Sequence, residues 1–421
     1  MSPLPTALKF PAKILKLDNG LTVIHQYTPA TPVAVLDVWV RAGATREPDS
    51  WSGMAHFLEH MIFKGTDRIG PGVFDQVIEN QGGMANAATS HDYAHFFITS
   101  AAQYLEETTQ PLAELLLRAS IPEEEFDRER DVVLEEIRQA QDNPDWLAFQ
   151  ALMETVYQNH PYRRSVLGTE ELLRERSPQE MRTFHRTHYQ PENMVVVVVG
   201  GVVEEQALEI VSNAFAQFPE RCNCPKLEIK PEPPLTEVRR QELYLPRLEQ
   251  ARLMMAWVGP GVDQLQSAYG LDLLSVLLAD GRSSRLVREL REELQWVQAI
   301  GSSFSLQRES SLFTISAVLE PQFVEQVEAL ISDRLWELIS APIGTTELER
   351  CKRLLCNDFA FSTETPGQLA GLYGYYSTIA TAELAVTYPS KIQAFKASDL
   401  QQLAQKYLSP VHYAAVVLKP I

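Results

Sequence analysis

The residues best equipped for chemistry in this 421-residue chain occupy five consecutive positions, His56-Phe57-Leu58-Glu59-His60, within WSGMAHFLEHMIFKGT. On an α-helix, His56 and His60 stand one turn apart on one face, so both imidazoles can reach a single ion while Glu59 sits beside them. Zinc in hydrolytic sites takes three protein ligands at about 2.0–2.2 Å and keeps a further position open. A carboxylate next to such a site can accept a proton from metal-activated water and later pass it to a leaving amine, which makes Glu59 the candidate general base. The third ligand must come from elsewhere, and the acidic segment FDRERDVVLEEIRQ offers Glu129, Glu135 and Glu136. Glu129 and Glu136 are seven residues apart and share a helix face two turns apart, whereas Glu135 points about 100° away from Glu136. One of them serves as the ligand, and another is placed to hydrogen-bond a ligand histidine and fix its tautomer.

The elements that would position these groups read as an alternation of strands and helices. Asn19-Gly20 marks a turn into the strand up to Thr28, and VAVLDVWVRA (33–42) reads as a second strand. The helix with the two histidines follows, and a further helix ends at Gly82-Gly83. After it, MANAATSHDYAHFFITS reads as extended. From Pro122 an acidic first turn opens a long helix that should break near Asn143-Pro144. The helix SPQEMRTFHRTHY then leads through Pro191 into MVVVVVG, whose valine run suits a buried strand and is too short for a membrane span.

That last pattern recurs at the carboxyl end in SDLQQLAQKYLSPVHYAAVVL, with Phe218 to Thr236 forming a proline-rich linker between the copies. The expected fold class is therefore α+β, with two homologous domains of mixed or antiparallel sheet covered by helices. The expected bounds are 1–218 for the metal-binding domain, 219–236 for the linker and 237–421 for the second domain. The second half opens with the strand ARLMMAWVG and a helix from about Asp263 to Leu278 without histidine. Eight of the nine histidines lie at or before His188, so one metal site is expected, in the first domain only.

A net charge of −18 argues against nucleic-acid binding and suits cationic peptides as substrates. No stretch approaches about 18 uninterrupted apolar residues, and the amino terminus lacks a secretory core, so a cytoplasmic protein with no membrane partner is expected. Cys222, Cys224, Cys351 and Cys356 read as ordinary thiols. His91 and His95 would lie about 13 Å apart on a strand and cannot share an ion, so they read as surface or packing residues.

The motifs NGLTV, GxxHFLEHMxFKGT, GGxxNAxTSxDxxxF, ERDVVLEEI, HPYRRxVxG and YxPxNMxxVVVG cover nearly the whole chain. Together they resemble the pitrilysin-like, or inverzincin, metallopeptidases. The likeness is to the branch holding the mitochondrial processing peptidase β subunit and its bacterial homologues. The resemblance implies one zinc ion per chain, held by His56, His60 and Glu136, with Glu59 as base and Glu129 as a carboxylate behind the ligands. It implies a zinc endopeptidase that cleaves short or unfolded peptides. It also implies an edge strand around Asn86 and Ala87 on which a substrate peptide adds by main-chain hydrogen bonds.

Relatives supply a backbone-binding arginine and tyrosine seven residues apart on a second-half helix. In GRSSRLVRELREELQWVQAI, Arg291 falls on the arginine and Gln298 on the tyrosine, with Trp296 and Tyr269 as nearby aromatics that would stand in. The missing tyrosine implies a heterodimer with a zinc-less homologous subunit, four domains enclosing a clamshell chamber, with a homodimer as runner-up. The competing reading is a non-catalytic peptide-binding or scaffold subunit of the kind resembled by respiratory-complex core proteins. The intact metal motif counts against it.

Overall fold

The computed structural model describes residues 10–225, 229 and 232–421. Within the expected linker, 226–228, 230 and 231 lie outside the described residues, and the rest carries no helix or strand. The chain forms two compact units, each built around one sheet.

The first unit comprises Met1–Arg138, Arg164–Glu228 and Ser362–Val386. Its strands are β1 (Lys13–Lys16), β2 (Thr22–Tyr27), β3 (Val33–Val40), β4 (Met84–Thr89), β5 (Ala94–Ala101) and β6 (Met194–Gly200). They lie in the order β1-β2-β6-β3-β5-β4. Only β2 and β6 run parallel. The valine run of β6 is buried along its whole length because the strand is central and covered on both faces, which explains its lack of polar alternation. In β5, by contrast, Ala94, Phe96 and Ile98 alternate into the core with half-buried neighbours. Helices Met54–Ile62, Leu105–Arg118 and Pro178–His188 supply Phe57, Leu58, Leu112, Leu116 and Phe184 to that core.

Helix Pro366–Ile379 packs against β3 and β6. Gly374 permits the approach, since a Cβ there would come within 2.0 Å of the Trp39 indole nitrogen.

The second unit comprises Gln139–Arg163, Ile229–Phe361 and Thr387–Ile421. Its strands are β7 (Arg239–Leu245), β8 (Ala251–Pro260), β9 (Val297–Ser305), β10 (Ser310–Leu319) and β11 (Ala414–Pro420), in the order β7-β11-β8-β10-β9. The β7–β11 pair is parallel and the remaining pairs are antiparallel. This order and these directions repeat β2-β6-β3-β5-β4, so the duplication seen in the amino-acid pattern is a duplication of topology. Helix Pro144–Val156 packs on β8 and β11.

The units differ from contiguous stretches 1–218 and 237–421. Segment 362–386 belongs with the first sheet and segment 139–163 with the second. The physical reason is that each central valine-rich strand needs apolar cover on both faces, and one of the covering helices comes from the opposite half of the sequence. The break at Asn143 is a helix start: its side chain caps the amides of Asp145 and Trp146, with Pro144 at the first position. Among the described residues no helix is long and apolar enough to cross a membrane.

Candidate metal centre

The helix Met54–Ile62 buries Met54, Ala55, Phe57, Leu58, Met61 and Ile62 and turns Glu59 and His60 toward partly open space. His56 is nearly buried on the same face as His60, their rings 4.8 Å apart. Opposite runs the helix Glu123–Gln141, anchored in the core by Phe126, Val133, Leu134 and Ile137. That spacing points Glu129 and Glu136 at the histidines.

Glu136 Oε2 lies 3.5 Å from His56 Nε2 and 3.6 Å from His60 Nε2. One ligand atom from each of the three residues falls within a 4.8 Å group. A tetrahedral ion with ligand bonds of about 2.0–2.1 Å has donor pairs about 3.3 Å apart, so these residues fit a zinc-sized ion. Glu129 Oε1 is 2.9 Å from His60 Nδ1, and Lys64 Nζ is 2.6 Å from Glu129 Oε2. With Nδ1–H donating to Glu129, the His60 Nε2 lone pair faces Glu136. Glu135 points away and pairs with Arg138 at 3.2 Å. Of the three carboxylates named from spacing, two converge on the histidines in different ways and one does not.

Burial, aided by the neighbouring His60, pushes the His56 pKa down to about 4, leaving a neutral imidazole at ordinary pH. Burial would also lower His60, but the Glu129 hydrogen bond and charge outweigh it and raise it. Burial would raise Glu129, yet its bonds from His60 and Lys64 hold it below its ordinary range. Glu59 is raised, chiefly by burial and against the pull of a 2.6 Å hydrogen bond donated by Thr89 Oγ1. Lys64 and Thr89 were not singled out from the sequence. Lys64 stands two turns after Phe57 and one after His60, so helical spacing could have found it, whereas nothing local marks Thr89.

Asn86 and Ala87 lie on β4, an edge strand of the first sheet, with Asn86 exposed and Ala87 half-buried. Asn86 Oδ1 accepts from the Ala87 amide at 2.9 Å. His91 sits in the turn between β4 and β5 and not on a strand, its Nε2 3.1 Å from the Arg164 carbonyl oxygen. His95 stacks on Trp39 at 4.2 Å and approaches Asp37 at 3.1 Å. The four cysteines are free thiols.

The expected second-half helix is corrected. Residues Val287–Glu293 form a short π-helical stretch, Gln295 takes a left-handed φ of 55°, and the chain enters β9 at Val297. Gln298 therefore stands exposed on an edge strand and shares no helix face with Arg291, whose guanidinium is bound to Glu292 at 3.0 Å. Trp296 stacks on Phe323 and Tyr269 is buried, so neither is presented as a replacement phenol.

Two histidines and a glutamate around one point, with a further carboxylate beside them, are the donor set on which metal-dependent hydrolases are built. Residues 22–170 match the family model described as insulinase (peptidase family M16), and residues 177–355 match the one described as peptidase M16 inactive domain. The chain belongs to the M16, pitrilysin-like peptidase family.

It is 29% identical over 411 residues to the zinc protease PqqE of Helicobacter pylori, covering 96% of this chain and 92% of that protein. It is 26% identical to a probable mitochondrial-processing peptidase subunit beta of Arabidopsis thaliana, covering 97% of this chain and 78% of that protein. A crystal structure of a protease from Helicobacter pylori superposes with a TM-score of 0.91 at 27% identity, covering 97% of this chain and 99% of that one.

Proposed function

We propose that this chain is a zinc-dependent endopeptidase, with His56, His60 and Glu136 as ligands and Glu59 as general base. The observation that carries the reading is the convergence of His56 Nε2, His60 Nε2 and Glu136 Oε2, with Glu59 on the same helix and free of any ligand role. The names of the relatives, zinc protease and processing peptidase, support the same reading. When bound, zinc supplies Lewis acidity to a scissile carbonyl and lowers the pKa of water in its reach.

The chain's own residues do the rest. Glu59, its pKa raised by burial, accepts a proton and returns it to the departing amine, with Thr89 holding one carboxylate oxygen in place. Glu129, tied to Lys64, orients His60 through Nδ1. The unpaired side of β4 around Asn86 and Ala87 receives a substrate strand by main-chain hydrogen bonds, which selects extended, unfolded or short peptides. Excess acidity favours cationic ones.

The second unit supports a subunit arrangement as part of the same proposal. With a glutamine at 298 and Arg291 left as the candidate for the arginine of the backbone clamp, a partner subunit that lacks zinc supplies the missing part of that clamp, a homodimer being the alternative. The deciding experiment is peptide hydrolysis by wild type and Glu59→Gln with zinc content measured in each. Lost cleavage with retained zinc is the expected result, and unchanged cleavage removes Glu59 as base. Adding a zinc-less homologue should raise the rate. Full activity of the chain alone, unaffected by any such partner, refutes the heterodimer.

A further inference from the structure

Glu47 is fully buried, nine residues before His56, and takes no part in the proposed ligand set. The helix Met54–Ile62 has only nine residues and begins at Gly53, which offers no side-chain cap. Glu47 fills that role from a distance. Its Oε2 accepts from the Gly53 amide at 3.0 Å and its Oε1 from the Ala55 amide at 2.7 Å. Two of the amides left unpaired at a helix start are thus held by one carboxyl group.

The segment bearing Glu47 is itself fixed. Arg164 donates to the carbonyls of Ala44 at 2.7 Å and Glu47 at 3.1 Å and to Asp49 at 3.0 Å. The amides of Ala44 and Thr45 donate to the carbonyls of Ser90 and His91, in the turn that follows Thr89. The Gly53 and Gly168 backbones touch: a Cβ on Gly53 would meet Leu167 O at 2.7 Å, and one on Gly168 would meet Ser52 O at 2.5 Å. Both glycines hold left-handed φ values, 90° and 75°. The HPYRR-to-glycine motif, which the metal chemistry leaves unexplained, is the seat on which this helix starts.

We infer that Glu47, held by Arg164, is a positioning residue that sets the register of the ligand helix against the Ser90–His91 turn. It thereby places His56 and His60 toward Glu136 and Glu59 beside Thr89. The two influences on the base, its helix and its hydroxyl partner on β4, meet on the one segment 44–47. This inference rests on the zinc peptidase reading above.

The test uses the full chain and measures zinc affinity by competition with a chelator, separately from kcat and KM. In Glu47→Gln the amide presents one acceptor and turns an N–H toward the other backbone N–H. The expected result is zinc affinity lowered roughly 10–100-fold, the range seen when groups behind metal ligands are removed. A fall in kcat should accompany it, with KM within about twofold, since no substrate contact is lost.

The matched control is Glu232→Gln, which alters another buried carboxylate that accepts two backbone amides, those of Asn159 and His160, in the second unit. It should leave zinc affinity unchanged. If Glu47→Gln does not fold, Arg164→Lys, which keeps the charge and loses the fork, should give a smaller loss of the same sign. Wild-type zinc affinity and kcat in whichever of these variants fold, or losses no larger than the control's, overturn the inference. A wild type that binds no zinc overturns the functional reading instead.

Discussion

The two units share a strand order but use the helix that follows the matching strands β3 and β8 in opposite ways. In the first, Met54–Ile62 is short, apolar on one side, and carries His56, Glu59 and His60 on the other. In the second, Leu265–Ala279 is longer and buries residues nearly all the way round, including Leu271, Leu273, Leu274, Leu277 and Leu278. Among the described residues the only three-donor group suited to a metal is in the first unit. The difference teaches that this scaffold does not require its site. The same topology can commit that helix to packing, and the helix that carries the candidate ligands gives up apolar surface and has its first amides held by Glu47.

The largest expected effect comes from breaking the first unit's distinction. Glu136→Gln should lower zinc affinity by more than the 10–100-fold typical of outer partners, read by metal competition, while Glu135→Gln should leave it within about twofold. If the two behaved alike, the geometric separation of these neighbours would be wrong.

Next is the second unit's reliance on packing. Leu274→Ala should cost about 2–5 kcal/mol in denaturant unfolding and leave zinc affinity intact. A loss of zinc binding there would show that the helices are not independent in their roles.

Of similar or smaller size is the effect of metal on stability. Zinc at 100 times its dissociation constant should add about 2.7 kcal/mol, removed by chelation in the wild type and absent in His60→Ala. Thermal unfolding with and without chelator checks it.

The smallest effect compares one buried carboxylate from each unit. Burial pushes Glu47 up to about 7, against the opposing pull of the Ala55 amide, Arg164 and the Gly53 amide. Burial, with nearby Asp358, pushes Asp272 up to about 6 despite a hydrogen bond from Tyr388. Each folded pKa exceeds its unfolded value, so the folded state binds the extra proton and stability falls as pH rises toward the folded pKa. The window runs from about 4.5 to 7 for Glu47 and from 3.8 to about 6 for Asp272. Asp272→Asn should flatten the pH dependence of stability in its window and leave zinc binding alone. Glu47→Gln should flatten the higher window and weaken zinc binding as well.

Much of the fold is legible along the chain because strand and helix patterns are local. The valine run of β6, the capped restart at Asn143-Pro144 and the repeated helix-to-strand unit at each half's end all depend on neighbours in sequence. The segment after Arg291 misled because Gln295 adopts a left-handed conformation that no flanking glycine announces. The exchange of 139–163 and 362–386 was equally hidden, since which sheet a helix covers is decided by distant apolar surfaces.

The site divides along the same line. By itself the sequence determined that His56, Glu59 and His60 lie within one turn of each other, because helical periodicity places them there whatever the rest of the fold does. Only the tertiary structure decided that Glu136 faces both Nε2 atoms while Glu129 takes Nδ1, that Lys64 pairs with Glu129 and Thr89 with Glu59, and that Glu47 holds the first amides of the helix. The Glu129, Glu136 and Thr89 contacts join residues thirty or more positions apart. Their geometry is set by how two helices and an edge strand pack on a common core, and no local spacing encodes it.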